Sequence, residues 1–242
     1  MTSVRERVRT ALGHTGYRRF IILSRSRTGS YMLMSFLNSH PNVRSDGEIL
    51  HQLHGRDYRA VIARAYGREP RSVKAKGFKI FYYHPNGATG KPIWDHLLAM
   101  PDLHVIHLKR RNVLRTLISR EIALQEGVWK TKNPGSSDTP RRKQVSFTVD
   151  ELAEGFAKTR RWERDGDAMF RDHPLLSVYY EDLVADTPTT FRQVTDFLGV
   201  PYVDPRTHLV RQNPEPVREL VSNVDELVAA FRGTEWESFF DE

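Results

Sequence analysis

Four short apolar runs, separated by stretches of helical periodicity, are what most restricts how this chain can fold. Residues 20–23 are continuously apolar and too short for a helix, as in a strand covered on both faces. After 24–30, Leu33, Phe36 and Leu37 fall at i, i+3 and i+4, one helical face that stops at His40-Pro41. Residues 78–82 and 105–108 read as further strands, with helices expected over 92–99 and 113–126; Pro92 suits a first helical position. Thr148-Val149-Asp150-Glu151 has capping-box spacing and opens a long helix past Phe156 and Trp162 toward Phe170, ahead of a strand over 175–180. Thr187-Pro188 opens the next helix and Gly199 closes it. This alternation predicts an α/β fold: a single domain over 1–242, its core at about 18–235, with a parallel β-sheet flanked by helices.

Composition narrows the partners. Of 242 residues, 37 are Lys or Arg and 30 are Asp or Glu, a net charge of +7, and 28 of the cations are arginine, so anionic ligands are favoured. Cysteine is absent, which removes disulfides, thiol nucleophiles and Cys-ligated zinc. The apolar runs fall far short of the ~20 residues a membrane span needs. The basic start, residues 1–9, is not followed by the apolar run of a secretory leader, so the expected location is cytoplasmic. Residues 127–147 are polar, with two prolines and the triplet Arg141-Arg142-Lys143, and are expected to form a mobile loop or lid.

The segment Ser24-Arg25-Ser26-Arg27-Thr28-Gly29-Ser30 joins the first strand to the first helix. A strand turning through glycine into a helix N-terminus presents backbone N–H groups and the positive end of a helix dipole, an oxyanion site. Arg27 adds a charge and Thr28 and Ser30 add hydroxyls. The Gly87-Ala88-Thr89-Gly90-Lys91-Pro92 stretch has the wrong spacing for a nucleoside-triphosphate loop.

The 24–30 segment resembles the 5′-phosphosulfate-binding loop of the sulfotransferase family, Pro-[Lys/Arg]-Ser-Gly-[Thr/Ser], with Ser26 in place of proline and Thr28 in place of serine. Val105 to Asn112, with Ser119 eight residues after Arg111, resembles the family's 3′-phosphate element, although Asn112-Val113 stands for Asp-Pro and Arg115 for an Asp. The segments around Tyr180-Glu181-Asp182 and 197–201 resemble a family segment that packs the sheet against a late helix, and the 209–234 stretch resembles the C-terminal part of the bacterial carbohydrate-type branch. The resemblance implies a P-loop-like sulfotransferase fold. It also implies 3′-phosphoadenylyl sulfate (PAPS) as donor and 3′,5′-adenosine bisphosphate (PAP) as product, without a metal. Its implied nucleotide contacts are Arg25, Ser26, Arg27, Thr28, Gly29, Ser30, Arg111 and Ser119, with Arg211 in a late loop.

For the proton, the family's tyrosylprotein and carbohydrate members place a Gly-Glu glutamate after the phosphate loop, which corresponds to Glu48; Asp46 and His84 are alternatives. Lys79 interrupts an apolar strand, and the resemblance implies that it stabilises charge on the bridging oxygen, with Arg27 assisting. His51 and His54 lack a third metal ligand. The acceptor implied is a hydroxyl on a glycan or glycolipid, with a phenolic or other small-molecule hydroxyl as the alternative. A small P-loop kinase would need a Walker-type lysine and magnesium ligands. Nucleic-acid binding is not expected, because the arginines at 25, 27, 110, 111 and 115 sit at strand ends, where α/β proteins hold small ligands. Oligomeric state has no signature.

Overall fold

The computed structural model describes residues 13–85, 90–127, 144–209 and 212–241. Five strands form one wholly parallel sheet in the order β2-β3-β1-β4-β5. They are β1 (Arg18–Ser24), β2 (Val43–Asp46), β3 (Ala75–Phe81), β4 (His104–Lys109) and β5 (Leu175–Tyr179). The chain runs from central β1 out to β2 and back to β3, then crosses to β4 and β5 on the other side. The reversal flanks β1, so the loop leaving β1 opens into the crevice where such sheets bind ligands.

The connecting helices are α1 (Ser30–Ser39), α2 (Tyr58–Ala65), α3 (Gly90–Leu98), α4 (Val113–Glu126), α5 (Val149–Met169), α6 (Tyr180–Ala185) and α7 (Thr187–Phe197). Two late helices, α8 (Val217–Leu220) and α9 (Val224–Phe231), and a 3₁₀ turn at Glu237–Phe240 complete the described chain. The period of two in β1 divides the core. Ile21 and Leu23 pack with Ile93 and Leu97 of α3, while Phe20 and Ile22 pack with Leu33 and Leu37 of α1 and with Phe191 and Val194 of α7. A third cluster joins Val113, Ile118 and Ile122 of α4 to Leu152 and Phe156 of α5 and to Leu227 and Phe231 of α9.

Local signals set the boundaries. Asn112 caps α4 by accepting from Arg115 N–H at 3.1 Å, and Gly127 ends that helix at φ 68°. Thr148 and Glu151 form the full capping box of α5. Gly77 in β3 is required by close packing, since a Cβ there would lie 2.2 Å from the Phe20 carbonyl oxygen on neighbouring β1.

Three expectations change. Tyr180 starts α6 instead of ending β5. β2 and α2 are additional elements: the sequence of β2, Val-Arg-Ser-Asp, is too short and polar to stand out, yet Val43 and Ser45 are buried against β3. Of the expected mobile stretch, residues 128–143 lie outside the described residues, whereas 144–147 are anchored. Val145 lies opposite Val221, donating to the Leu220 carbonyl at 2.8 Å and accepting from Ser222 N–H at 2.9 Å, and Phe147 N–H reaches Asn223 at 3.3 Å. Among the described residues no helix is long and apolar enough to cross a membrane.

Candidate active site

Because every strand is parallel, the residues that follow them gather at one edge. They line a cleft of about 1230 Å³. Its floor is the β1–α1 loop. Gly29 is the N-cap of α1 at φ 89°, and no side chain caps that turn, the arrangement in which leading N–H groups take an oxyanion. A Cβ on Gly29 would sit 2.3 Å from the ring of Tyr180, so glycine is needed both for the left-handed backbone and for the ring lying on it. Arg27 also adopts a left-handed φ of 67°, strain of the kind stored at binding loops. Ser26 and Ser30 line the cleft; Thr28 does not, its hydroxyl being buried without a hydrogen-bond partner among the described residues.

The two loop arginines part company. Arg27 turns toward α4, where its Nε donates to Ser119 Oγ at 2.8 Å and a terminal nitrogen meets Gln212. Asn213 donates to the same Ser119 oxygen at 3.2 Å. Burial, with Arg110 close by, pushes the Arg27 guanidinium pKa below its ordinary value. Arg25 turns the opposite way, to the Thr159 hydroxyl on α5, and burial lowers its pKa to about 10.

The family resemblance pairs Ser119 with Arg111, whereas in the structure the arginine on Ser119 is Arg27. Arg111 is about half exposed and absent from the cleft lining; Asp182 grips its guanidinium with bonds of 2.7 and 2.8 Å over the Tyr179 ring. Its neighbour Arg110 occupies the cleft instead. There it donates to the Arg27 carbonyl at 3.1 Å and lies 4.4 Å over the Tyr180 ring. The cause is the turn between β4 and α4: it directs two successive side chains to opposite sides, and only one faces the loop. Arg211 lies outside the described residues.

Glu48 follows β2, where Lys79 N–H donates to the Gly47 carbonyl at 3.3 Å and so brings β3 alongside. Lys79 Nζ then lies 3.0 Å from Glu48 Oε1, and Tyr31 O–H donates to the same oxygen at 3.3 Å. The ammonium also sits 3.2 Å over the Tyr31 ring. Lys79 is fully buried and does not line the cleft, whereas Glu48, Tyr31 and His84 do. His84 Nε2 is 3.8 Å from Glu48 Oε2, too far for a hydrogen bond. Burial lowers the His84 pKa to about 4, so the ring is neutral at pH 7. Asp46 is exposed and outside the lining. Among the described residues no group of three or more His, Asp or Glu comes together to hold a metal ion.

Several participants escaped the sequence reading. Tyr31 is the residue directly after the loop and could have been found by position. Tyr180 was noted only as part of a packing segment, and Gln212 gives no local signal. Chemically, the cleft combines a loop suited to an oxyanion, three further guanidinium groups at 110, 115 and 120, and a carboxylate held beside a buried ammonium.

Known proteins are similar to this chain in sequence and in fold. Residues 94–204 match the model of the sulfotransferase family. Nodulation protein H of Rhizobium tropici is 30% identical over 241 residues, covering 92% of this chain and 92% of that protein. Nodulation protein H of Rhizobium meliloti (strain 1021) is 30% identical over 237 residues, covering 92% and 94%. A crystal structure of a sulfotransferase from Alicyclobacillus acidocaldarius superposes with a TM-score of 0.52 at 16% identity, covering 92% of this chain and 95% of that one, a likeness of fold.

Proposed function

The chain belongs to the sulfotransferase family, and from that premise we propose that it moves a sulfuryl group from 3′-phosphoadenylyl sulfate to a hydroxyl of a glycan or glycolipid. One observation carries the choice of donor. Arg27 of the phosphate loop and Ser119 of the β4–α4 element, 92 residues apart, meet at 2.8 Å in the cleft that also holds Glu48. An oxyanion loop at one point and a serine with a guanidinium at another suit a nucleotide carrying two separate anionic groups.

In this reading the 5′-phosphosulfate lies on the 26–30 loop, and Ser119 with Arg110 receives the 3′-phosphate. The loop N–H groups, Ser30 and Arg27 bind charge on the departing phosphate oxygen, with water excluded by the ring of Tyr180. The acceptor oxygen attacks sulfur as its proton passes to Glu48. A new S–O bond forms, the bond from sulfur to the bridging phosphate oxygen breaks, and the bisphosphate departs with the electron pair. Neutral His84 cannot donate a full charge to Glu48, so the carboxylate is oriented by Lys79 and Tyr31. Lys79 is thus a positioning residue that acts through Glu48; its burial argues against direct contact with the bridging oxygen.

Thermal denaturation with PAP, with ATP plus magnesium, and with duplex DNA tests the donor. PAP at 100 times its Kd should stabilise the fold by about 2.7 kcal/mol. No stabilisation by PAP, or a larger shift with ATP plus magnesium, overturns the reading.

A further inference from the structure

In the proposed reading the donor lies on the 26–30 loop and at Ser119 and Arg110, which leaves for the acceptor the side of the cleft to which Arg25 turns. It is bounded by one stripe of α5, where Gly155, Lys158, Thr159 and Trp162 recur at helical spacing and all face the cleft. Here the β3 end contributes Tyr83, whose ring centroid is 5.5 Å from that of Trp162. Tyr83 stands 5.5 Å from His84, the ring beside Glu48, so a line of rings leads from the carboxylate to Trp162.

Trp162 is held rigidly from behind. Tyr82 stacks on it at 5.9 Å and 29°. The Tyr82 hydroxyl is 2.7 Å from His107 Nε2, and His107 Nδ1 is 2.8 Å from Asp167, which also takes Lys109 at 2.7 and 2.8 Å. His107 is wholly buried and neutral, so one arrangement fits: Nδ1–H donates to Asp167 and Nε2 accepts from Tyr82. This part-buried network, unused by the transfer chemistry, backs the Tyr82 ring that stacks on the indole.

We infer that Trp162, with Tyr83, is a sugar-stacking subsite for the residue next to the one that is sulfated, so that the preferred acceptor is an oligosaccharide. The inference rests on the proposed transfer to a glycan hydroxyl and names which part of the glycan is read. Lys158 Nζ already lies 5.4 Å over the Trp162 ring, and a face that attracts an ammonium attracts the polarised C–H bonds of a pyranose for the same quadrupolar reason. The same wall of the cleft carries the polar groups a polyhydroxylated ring needs: the Thr159 hydroxyl, the Arg25 guanidinium beside it, Lys158 and the Glu154 carboxylate. Trp162 stands two ring steps beyond His84, the ring next to the base, which suits a neighbouring sugar and not the one attacked. The cleft also exceeds the 300–1000 Å³ typical of a single small ligand.

The test compares wild type, Trp162→Ala and Trp162→Tyr. Labelled-donor transfer would be measured to glucose, galactose and N-acetylglucosamine and to their tetrasaccharides, with PAP affinity measured alongside by calorimetry. Trp162→Ala should raise KM for an accepted tetrasaccharide by about tenfold, leave the monosaccharide constants within about twofold, and leave PAP affinity unchanged. Trp162→Tyr should recover most of the loss. An unchanged tetrasaccharide KM in Trp162→Ala, an equal rise for mono- and tetrasaccharide, or a wild type that binds PAP but accepts no sugar overturns the subsite. A wild type that does not bind PAP at all is the separate failure of the donor reading.

Discussion

Lys79 and Glu48 form an ion pair of 3.0 Å in which the ammonium is fully buried and the carboxylate faces the cleft. The pair explains how one carboxylate is kept in a single orientation at the edge of an apolar sheet. Glu48→Gln should remove the proton acceptor while keeping shape, lowering kcat by about 10²–10⁴-fold with PAP affinity unchanged. It also strands a buried ammonium, so the variant should lose up to about 3 kcal/mol of stability, read from its urea midpoint. Normal turnover in a folded Glu48→Gln protein would place the base elsewhere.

Arg110 and Arg111 separate two explanations of the arginine-to-serine spacing. Arg110 faces Arg27 and Tyr180 inside the cleft; Arg111 is clamped outside it by Asp182. Arg110→Ala should weaken PAP binding by about 10- to 100-fold, the worth of one charge-assisted phosphate contact. Arg111→Ala should change affinity less than about threefold and cost at most about 1 kcal/mol of stability, as an exposed pair does. Calorimetric titration of the two variants with PAP decides, and the reverse order of effects would restore Arg111.

Gly29 meets Tyr180 where the loop enters α1. Alanine there must accept φ 89° and a Cβ 2.3 Å from the aromatic ring, so either the loop or Tyr180 has to move. Gly29→Ala should lose PAP binding and about 1–3 kcal/mol of stability. Gly16→Ala is the control, since its Cβ would meet nothing nearer than 3.6 Å. Matching melting temperatures and PAP affinities for the two variants would deny the loop its tight packing on Tyr180.

The parallel architecture was legible because buried strands such as 20–23 advertise themselves by continuous apolarity, and because Thr148, Pro188 and Gly199 mark helix ends chemically. β2 was not legible: Val43 and Ser45 are buried by pairing with β3, a tertiary cause that four residues cannot display. At the site, the candidacy of the 24–30 loop, Glu48 and Lys79 could be anticipated, from a glycine turn, a family resemblance and a lysine in an apolar strand, but not the ion pair between the last two. Which of two adjacent arginines enters the cleft could not. A side-chain direction after a strand depends on the turn that follows, and the chain carries no mark of that choice. The same holds for Arg25, whose partner Thr159 lies 134 residues away.

Two buried histidines make stability depend on pH. Burial lowers His84 and His107 to about 4, against 6.5 for an unperturbed ring. His84 faces Glu48, His51 and Lys79; His107 faces Asp167, Lys109 and Tyr82. Below pH 6.5 the unfolded chain takes up protons that the folded state refuses. Unfolding therefore becomes easier as pH falls, and stability rises with pH between about 4 and 6.5. Each ring can contribute on the order of 3 kcal/mol across that window. Asp167, whose carboxyl is held low through its bonds to Lys109 and His107, loses its share only below this range. Urea midpoints at pH 7, 6 and 5 should fall stepwise. His107→Gln, which keeps a donor and an acceptor but cannot titrate, should flatten the slope by about half. A wild-type midpoint constant from pH 7 to 5 would mean that neither ring is kept neutral by the fold.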